Sequence, residues 1–152
     1  MIARTSRRGT ATVLAGLMLL LSACGGDPVQ SYCSAVEGHR KELADMVSSD
    51  AGSVALLEHL PMLRDLAEQS PPDLKDEWQV FLNAVENLDR ALDRAKVDRS
   101  KFTDGKAPAG TSPADVKAIQ DAASQLGTPE VADAAGQIEG QARDVCKVNF
   151  GL

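Results

Sequence analysis

Aromatic side chains make up only 3% of this 152-residue chain: one Trp, one Tyr and three Phe. β-Sandwiches and barrels draw heavily on aromatic and β-branched residues, so this scarcity argues against them. Net positive charge is lacking too. With 16 basic against 22 acidic residues the chain carries −6 at pH 7, the wrong sign for a nucleic-acid partner. Catalytic signatures are missing. There is no G-x-S-x-G, no H-E-x-x-H, no C-x-x-C-H and no E-x-x-H pair of the di-iron type. Gly105 and Gly110 have the glycine spacing of a P-loop, but Thr111 stands where Lys is required. The stretch from Asp98 to Gly105 fails the EF-hand pattern at Phe102. The expectation is a protein that is not an enzyme and holds neither cofactor nor metal.

What is present is ordinary for a folded domain. Hydrophobic residues are 43% and charged residues 25%, which excludes wholesale disorder. Alanine is the commonest residue, at 22. A core built from Ala, Leu and Val with few aromatics points to packed helices.

The first 24 residues read as an address. Arg4, Arg7 and Arg8 form a basic start, an apolar run follows from Ala11 to Leu21, and Leu21-Ser22-Ala23-Cys24 closes the segment. The apolar run is too short to cross about 30 Å of hydrocarbon, so the order is that of a secretory signal peptide. Its ending resembles the lipobox of bacterial lipoproteins, with Leu at −3, small residues at −2 and −1, then Cys. The resemblance implies a diacylglyceryl group on the Cys24 thiol and cleavage before Cys24 by signal peptidase II. Ser6-Arg7-Arg8 also hints at a twin-arginine export signal, but Gly9 and Thr10 follow where that motif prefers an apolar residue.

The expected organisation is therefore a signal peptide over 1–23, a lipid anchor and tether over 24–27, and a helical domain over 28–152. Cleavage removes three Arg, leaving 13 basic against 22 acidic residues and a net charge of −9. Charge does not draw such a domain to an anionic bilayer. Acyl chains such as palmitate on Cys24 would hold it to the extracytoplasmic face of the cell membrane, two or more chains being needed for a stable hold.

Export places the domain where disulfides form. With Cys24 lipidated, Cys33 and Cys146 remain, and an even pair reads as one disulfide. The alternative is two buried free thiols. Together, the lipobox, this cysteine pair and a composition rich in Ala, Arg and Asp make the chain resemble the small, uncharacterised helical lipoproteins of high-GC Gram-positive bacteria. That resemblance implies a location and no activity.

Five helices are expected. The first spans about 28–47 behind Asp27-Pro28. The second spans about 53–69, with a kink or a break before Pro61. The third follows the start signal Ser70-Pro71-Pro72-Asp73 and ends near Val97, with Leu74, Trp78, Phe81, Val85, Leu88, Leu92 and Ala95 as its seam. A short fourth helix spans about 113–126, and the fifth about 129–148 with Val131, Ala135, Ile138, Ala142 and Val145 inward. A Cys33–Cys146 bond needs both ends at one pole. That predicts an all-α fold: an up-down-up-down four-helix bundle, with the fourth helix across the membrane-distal end.

Four features are candidates for function. Tyr32, Val36, His39, Leu43 and Met46 share one face, where His39 and Met46 are candidate haem ligands or a boundary histidine beside core filler. Trp78 and Phe81 read more as core than as a ligand box. The row Ala132-x-x-x-Gly136-x-x-x-Gly140 suits close packing inside the bundle, or a partner's helix. The stretch from Arg90 to Lys106 carries six bases and three acids. Within it Arg99, Lys101 and Phe102 form a candidate surface for an acidic extracytoplasmic protein partner. The alternative is a ring tucked under the fourth helix.

The leading functional expectation is a lipid-anchored binding or scaffolding module, with a carrier of a small apolar ligand or haem as the alternative. A cavity between the helix seams favours the carrier. A filled core with an exposed apolar patch favours the module.

Overall fold

A computed structural model describes residues 26–49, 52–102 and 106–148. The expected signal peptide over 1–23 and the expected lipidation site at Cys24 lie outside the described residues. The fold is all-α. Its helices are α1 (Pro28–Gly38), α2 (Arg40–Ser48), α3 (Ser53–Glu58), α4 (Leu60–Gln69), α5 (Lys75–Arg94), α6 (Pro113–Leu126) and α7 (Pro129–Asp144). Short 3-10 turns occupy Pro72–Leu74 and Arg99–Lys101.

Local chemistry sets several of these bounds. Asp27 accepts the Val29 N–H at 2.9 Å, with Pro28 in the first turn. Ser112 caps the helix by accepting the Asp115 N–H at 3.2 Å, and its hydroxyl donates to the Asp115 carboxylate at 2.6 Å. Ser70 does something else. Its buried hydroxyl donates to the Ala67 carbonyl at 2.7 Å, and the chain turns through Pro71 and Pro72 before α5 begins. At the far end of α5, Val97 N–H bonds the Leu92 carbonyl and Lys96 N–H the Asp93 carbonyl, with Lys96 at φ 53°. This is a Schellman stop, built here without glycine.

The expected first two helices are each broken once. α1 gives way to α2 at His39, and α3 to α4 at His59. Pro61 explains the second break, since it has no N–H for the Leu57 carbonyl. The expected fifth helix is shorter than its pattern. It stops at Asp144, Lys147 takes φ 60°, and Val148 N–H returns to the Ala142 carbonyl. Val145 is thereby turned outward, 47% exposed, and Val148 takes a core place instead.

α5 is the central helix, packed against α3, α4, α6 and α7. Its seam divides between two clusters. Leu74 and Trp78 join Tyr32, Val36, Leu63, Leu66, Ala142 and Val148 in the first. Val85, Leu88, Ala91 and Leu92 join Leu57, Leu60, Phe102, Ile119 and Ala122 in the second. α6 lies on the C-terminal half of α5, where Asn87 donates to Gln125 at 2.9 Å. The disulfide is formed: Cys33 and Cys146 are bonded with Cα atoms 4.9 Å apart, joining α1 to the segment after α7 across 113 residues of sequence.

An apolar cavity as the candidate functional site

The first cluster is not filled. A cavity of about 240 Å³ opens between α1, α2, α3, α4, α5 and α7. α1 contributes Tyr32 and Val36, and α2 contributes Leu43, Met46 and Val47. Leu56, Leu63 and Leu66 line it from α3 and α4, Trp78 and Phe81 from α5. α7 supplies Ala135, Ile138, Glu139 and Ala142. The two alanines are where the wall is thin. A larger residue at either position would project into the space.

Three of the chain's five aromatics meet here. Tyr32 and Trp78 stand edge to face with ring centroids 6.5 Å apart, and Trp78 and Phe81 do so at 6.2 Å. Trp78 Nε1–H donates to the Tyr32 hydroxyl at 3.2 Å. Burial pushes the Tyr32 phenol up to about 12, with the Trp78 hydrogen bond pulling slightly the other way. Tyr32 is therefore a neutral hydroxyl throughout the physiological range. Glu139, at the cavity's mouth, is 45% exposed and faces Arg143 at 3.6 Å.

Volume sets the scale of what fits. An engineered cavity of about 150 Å³ holds benzene, so this one suits a molecule of roughly ten non-hydrogen atoms. A porphyrin is several times larger. His39 is also turned away from the cavity. Its Nδ1 faces Glu42 at 3.0 Å and its Nε2 faces Asp65 at 2.9 Å, with Gln69 also donating to Asp65. The Asp65 hydrogen bond, reinforced by Glu42, holds the imidazole pKa above its ordinary value. Of the expected Tyr32-to-Met46 row, the structure brings Tyr32, Val36, Leu43 and Met46 to one wall and removes His39. The break at His39 resets the helical phase.

The other sequence candidates fall elsewhere. Phe102 is 0% exposed, packed in the second cluster with Ile119 of α6. It is a core residue and offers no aromatic surface to a partner, which corrects the expectation of an exposed anchor. Arg99 donates to Asp89 at 2.6 Å and to Asp93 at 3.1 Å, and Asp89 is only 13% exposed. Arg99 thus pins the 3-10 turn to α5, while Lys101 stays exposed. The small-residue row of α7 does not receive a helix inside the bundle. A Cβ at Gly136 or Gly140 would meet nothing within 4 Å.

A second, more open crevice of about 340 Å³ lies between α5 and α7, edged by Asn83, Asn87, Gln125, Thr128 and Glu130. It is larger but more open than the first, and its lining is more polar, which suits an apolar ligand less well. Among the described residues no group of His, Cys, Asp and Glu is arranged to hold a metal ion, and no helix is long and apolar enough to cross a membrane. No protein-family model, no curated protein and no solved structure matches the chain.

Proposed function

We propose that this chain is a lipid-anchored extracytoplasmic protein that binds a small apolar molecule between its helices. The observation that carries the reading is the half-open cavity of about 240 Å³ walled mainly by aliphatic and aromatic side chains. An apolar void of this size forgoes packing contacts that a filled core would make, and a ligand restores them. The scaffolding alternative asks for an exposed apolar patch. Among the described residues the one large hydrophobic side chain left exposed is Val145.

The protein binds its ligand rather than transforming it. The wall offers one hydroxyl, one indole N–H and a half-exposed carboxylate, with no nucleophile and base facing each other. Acyl chains on Cys24 hold the domain at the membrane, and the acidic surface stays in water. For the architecture we propose four antiparallel legs, α1 with α2, α3 with α4, α5, and α7, with α6 at the pole away from the lipid. The disulfide between the first and last legs supports this, as does the position of Ile119 and Phe102 in the second cluster.

Two measurements test the reading. Native mass spectrometry of the Cys24→Ala chain, which lacks acyl chains, should retain a small apolar mass or take one up on incubation with alkylbenzenes. A chain that neither retains nor takes up any such molecule would sink the carrier. Wild-type protein should partition into a detergent phase and carry acyl mass on a mature chain that begins at Cys24, whereas Cys24→Ala should stay unacylated and uncleaved. A wild type without acyl mass, or cut elsewhere, would sink the anchor.

A further inference from the structure

The cavity wall carries one hydrogen-bond donor that its neighbours leave unused. An indole N–H can only donate. In the Trp78–Tyr32 bond the phenol oxygen is therefore the acceptor, and the phenol's own proton has to go elsewhere. Among the described residues no backbone or side-chain acceptor takes it. Tyr32 is only 1% exposed, so bulk water does not take it either, and its side chain lines the cavity.

Resting on the proposed carrier function, we propose that the cavity takes an uncharged, largely apolar molecule bearing one hydrogen-bond acceptor, which the Tyr32 hydroxyl binds. Carbonyl, ester and ether oxygens meet this description. Three features agree on it. A buried donor without an acceptor is costly, and a ligand oxygen removes that cost. The Trp78 N–H bond holds the Tyr32 oxygen in place and makes its O–H a stronger donor, since hydrogen bonds in a chain strengthen one another. A phenol is protonated at physiological pH even at its ordinary value near 10, and burial raises Tyr32 further, so the donor is present.

Charge is excluded by the same wall. Among the described residues no Lys, Arg or His lines the cavity, so a carboxylate carried inward would find no cation there. The one carboxylate on the lining, Glu139, sits at the mouth facing Arg143. A free fatty acid with its head inward does not suit this site, whereas a neutral ketone or ester of the same girth does.

The test uses two probes of one shape. Propiophenone and sec-butylbenzene differ in a C=O that replaces a CH–CH3. Binding of each to the full Cys24→Ala chain and to the same chain with Tyr32→Phe is read by headspace depletion. Trp78, the only tryptophan, serves as a second reporter through its fluorescence. Tyr32→Phe should weaken propiophenone about three- to tenfold, the worth of one net hydrogen bond, and leave sec-butylbenzene within about twofold. An unchanged preference between the probes would overturn the inference and leave the carrier standing. Failure of both probes to bind the unsubstituted cavity would overturn the carrier itself. Tyr32→Phe also strips Trp78 of its acceptor, so the variant can fail to fold. The carbonyl stretch of bound propiophenone, measured in the chain that keeps Tyr32, covers that case. A shift below its frequency in hydrocarbon solvent is expected, and an unshifted band would overturn the inference.

Discussion

His39 and His59 adopt the same backbone bend, φ −93° and ψ 7° at the first, φ −95° and ψ 10° at the second. Each is the single residue between two consecutive helices, and each bend lets the carbonyl of the histidine accept from a later turn, at Leu43 and at Leu63. The causes differ. Beyond His59 stands Pro61, which cannot donate. Beyond His39 there is no proline, and the imidazole is clamped between Glu42 of α2 and Asp65 of α4. The first break turns His39 out of the cavity wall while Tyr32 and Met46 stay in it.

The clamp makes stability depend on pH. His39 gains two carboxylate partners on folding, so its folded pKa lies above the unfolded value of about 6.5. The group then stabilises the fold fully below about pH 6.5, and that contribution fades as pH rises through the folded pKa. Melting temperatures near pH 6 and near pH 8 should differ by more in the wild type than in His39→Gln. An equal difference in the two proteins would remove the clamp from the account.

The disulfide should be worth a large share of the total stability. It closes 113 residues of chain, for which the loop-entropy argument gives about 4–5 kcal/mol, and losing a native disulfide costs about 2–5 kcal/mol in practice. Replacing Cys33 and Cys146 together by Ala should lower the denaturant midpoint accordingly. Both thiols should resist alkylation in the native protein until it is reduced. Ready labelling without reductant would contradict the bond.

Much of this fold is legible in the sequence, and the reason is local. Proline after a capping residue marks the starts at Asp27-Pro28, Ser112-Pro113 and Thr128-Pro129, and α6 runs over 113–126 as its pattern says. The seam of α5 is read from period alone, since one helix determines it. The break at His39 is less legible because its partner, Asp65, is 26 residues away. The end of α7 is misread because Val145 keeps the period, while the turn at Lys147 obeys the bonded Cys146 next to it. The cavity is not legible at all. Most of its residues are identifiable as inward, but an unfilled volume depends on how six helices meet. Tyr32, Met46, Trp78 and Phe81 stand out in the sequence as unusual members of their faces, but the pattern sets them in or beside the core and does not show that a space lies between them.

Phe102 and Arg99 should behave as structural residues. The buried ring makes Phe102→Ala a loss of about 3–5 kcal/mol. Arg99→Ala leaves the largely buried Asp89 without its partner and should cost about 1–3 kcal/mol. Both fall short if the turn is only loosely attached: a Phe102→Ala protein with wild-type stability would restore this ring as a surface feature.

Gly136 and Gly140 lie inside α7 with open space where a Cβ would go. Glycine in a helix interior costs about 0.5–1 kcal/mol relative to alanine. Each Gly→Ala change should therefore raise stability by about that amount and leave the sedimentation behaviour unchanged. Loss of stability, or dissociation of an oligomer, would mean that the row is packed against another helix after all.

Filling the cavity separates binding from folding. Ala135 lines the space from α7 and is only partly buried, so a longer side chain there grows into the void rather than into close-packed neighbours. Ala135→Leu should replace part of the missing contact. Stability should hold or rise by about 1–2 kcal/mol, as cavity-filling changes commonly give, while alkylbenzene uptake falls by an order of magnitude or more. Overpacking would show itself as destabilisation of about 1–3 kcal/mol, and Ala135→Val is then the smaller step along the same direction. Two observations together decide the matter. If a stably folded Ala135→Leu protein bound sec-butylbenzene as well as the parent chain does, the ligand would sit elsewhere, and the space between α1, α4, α5 and α7 would be a packing gap without a guest.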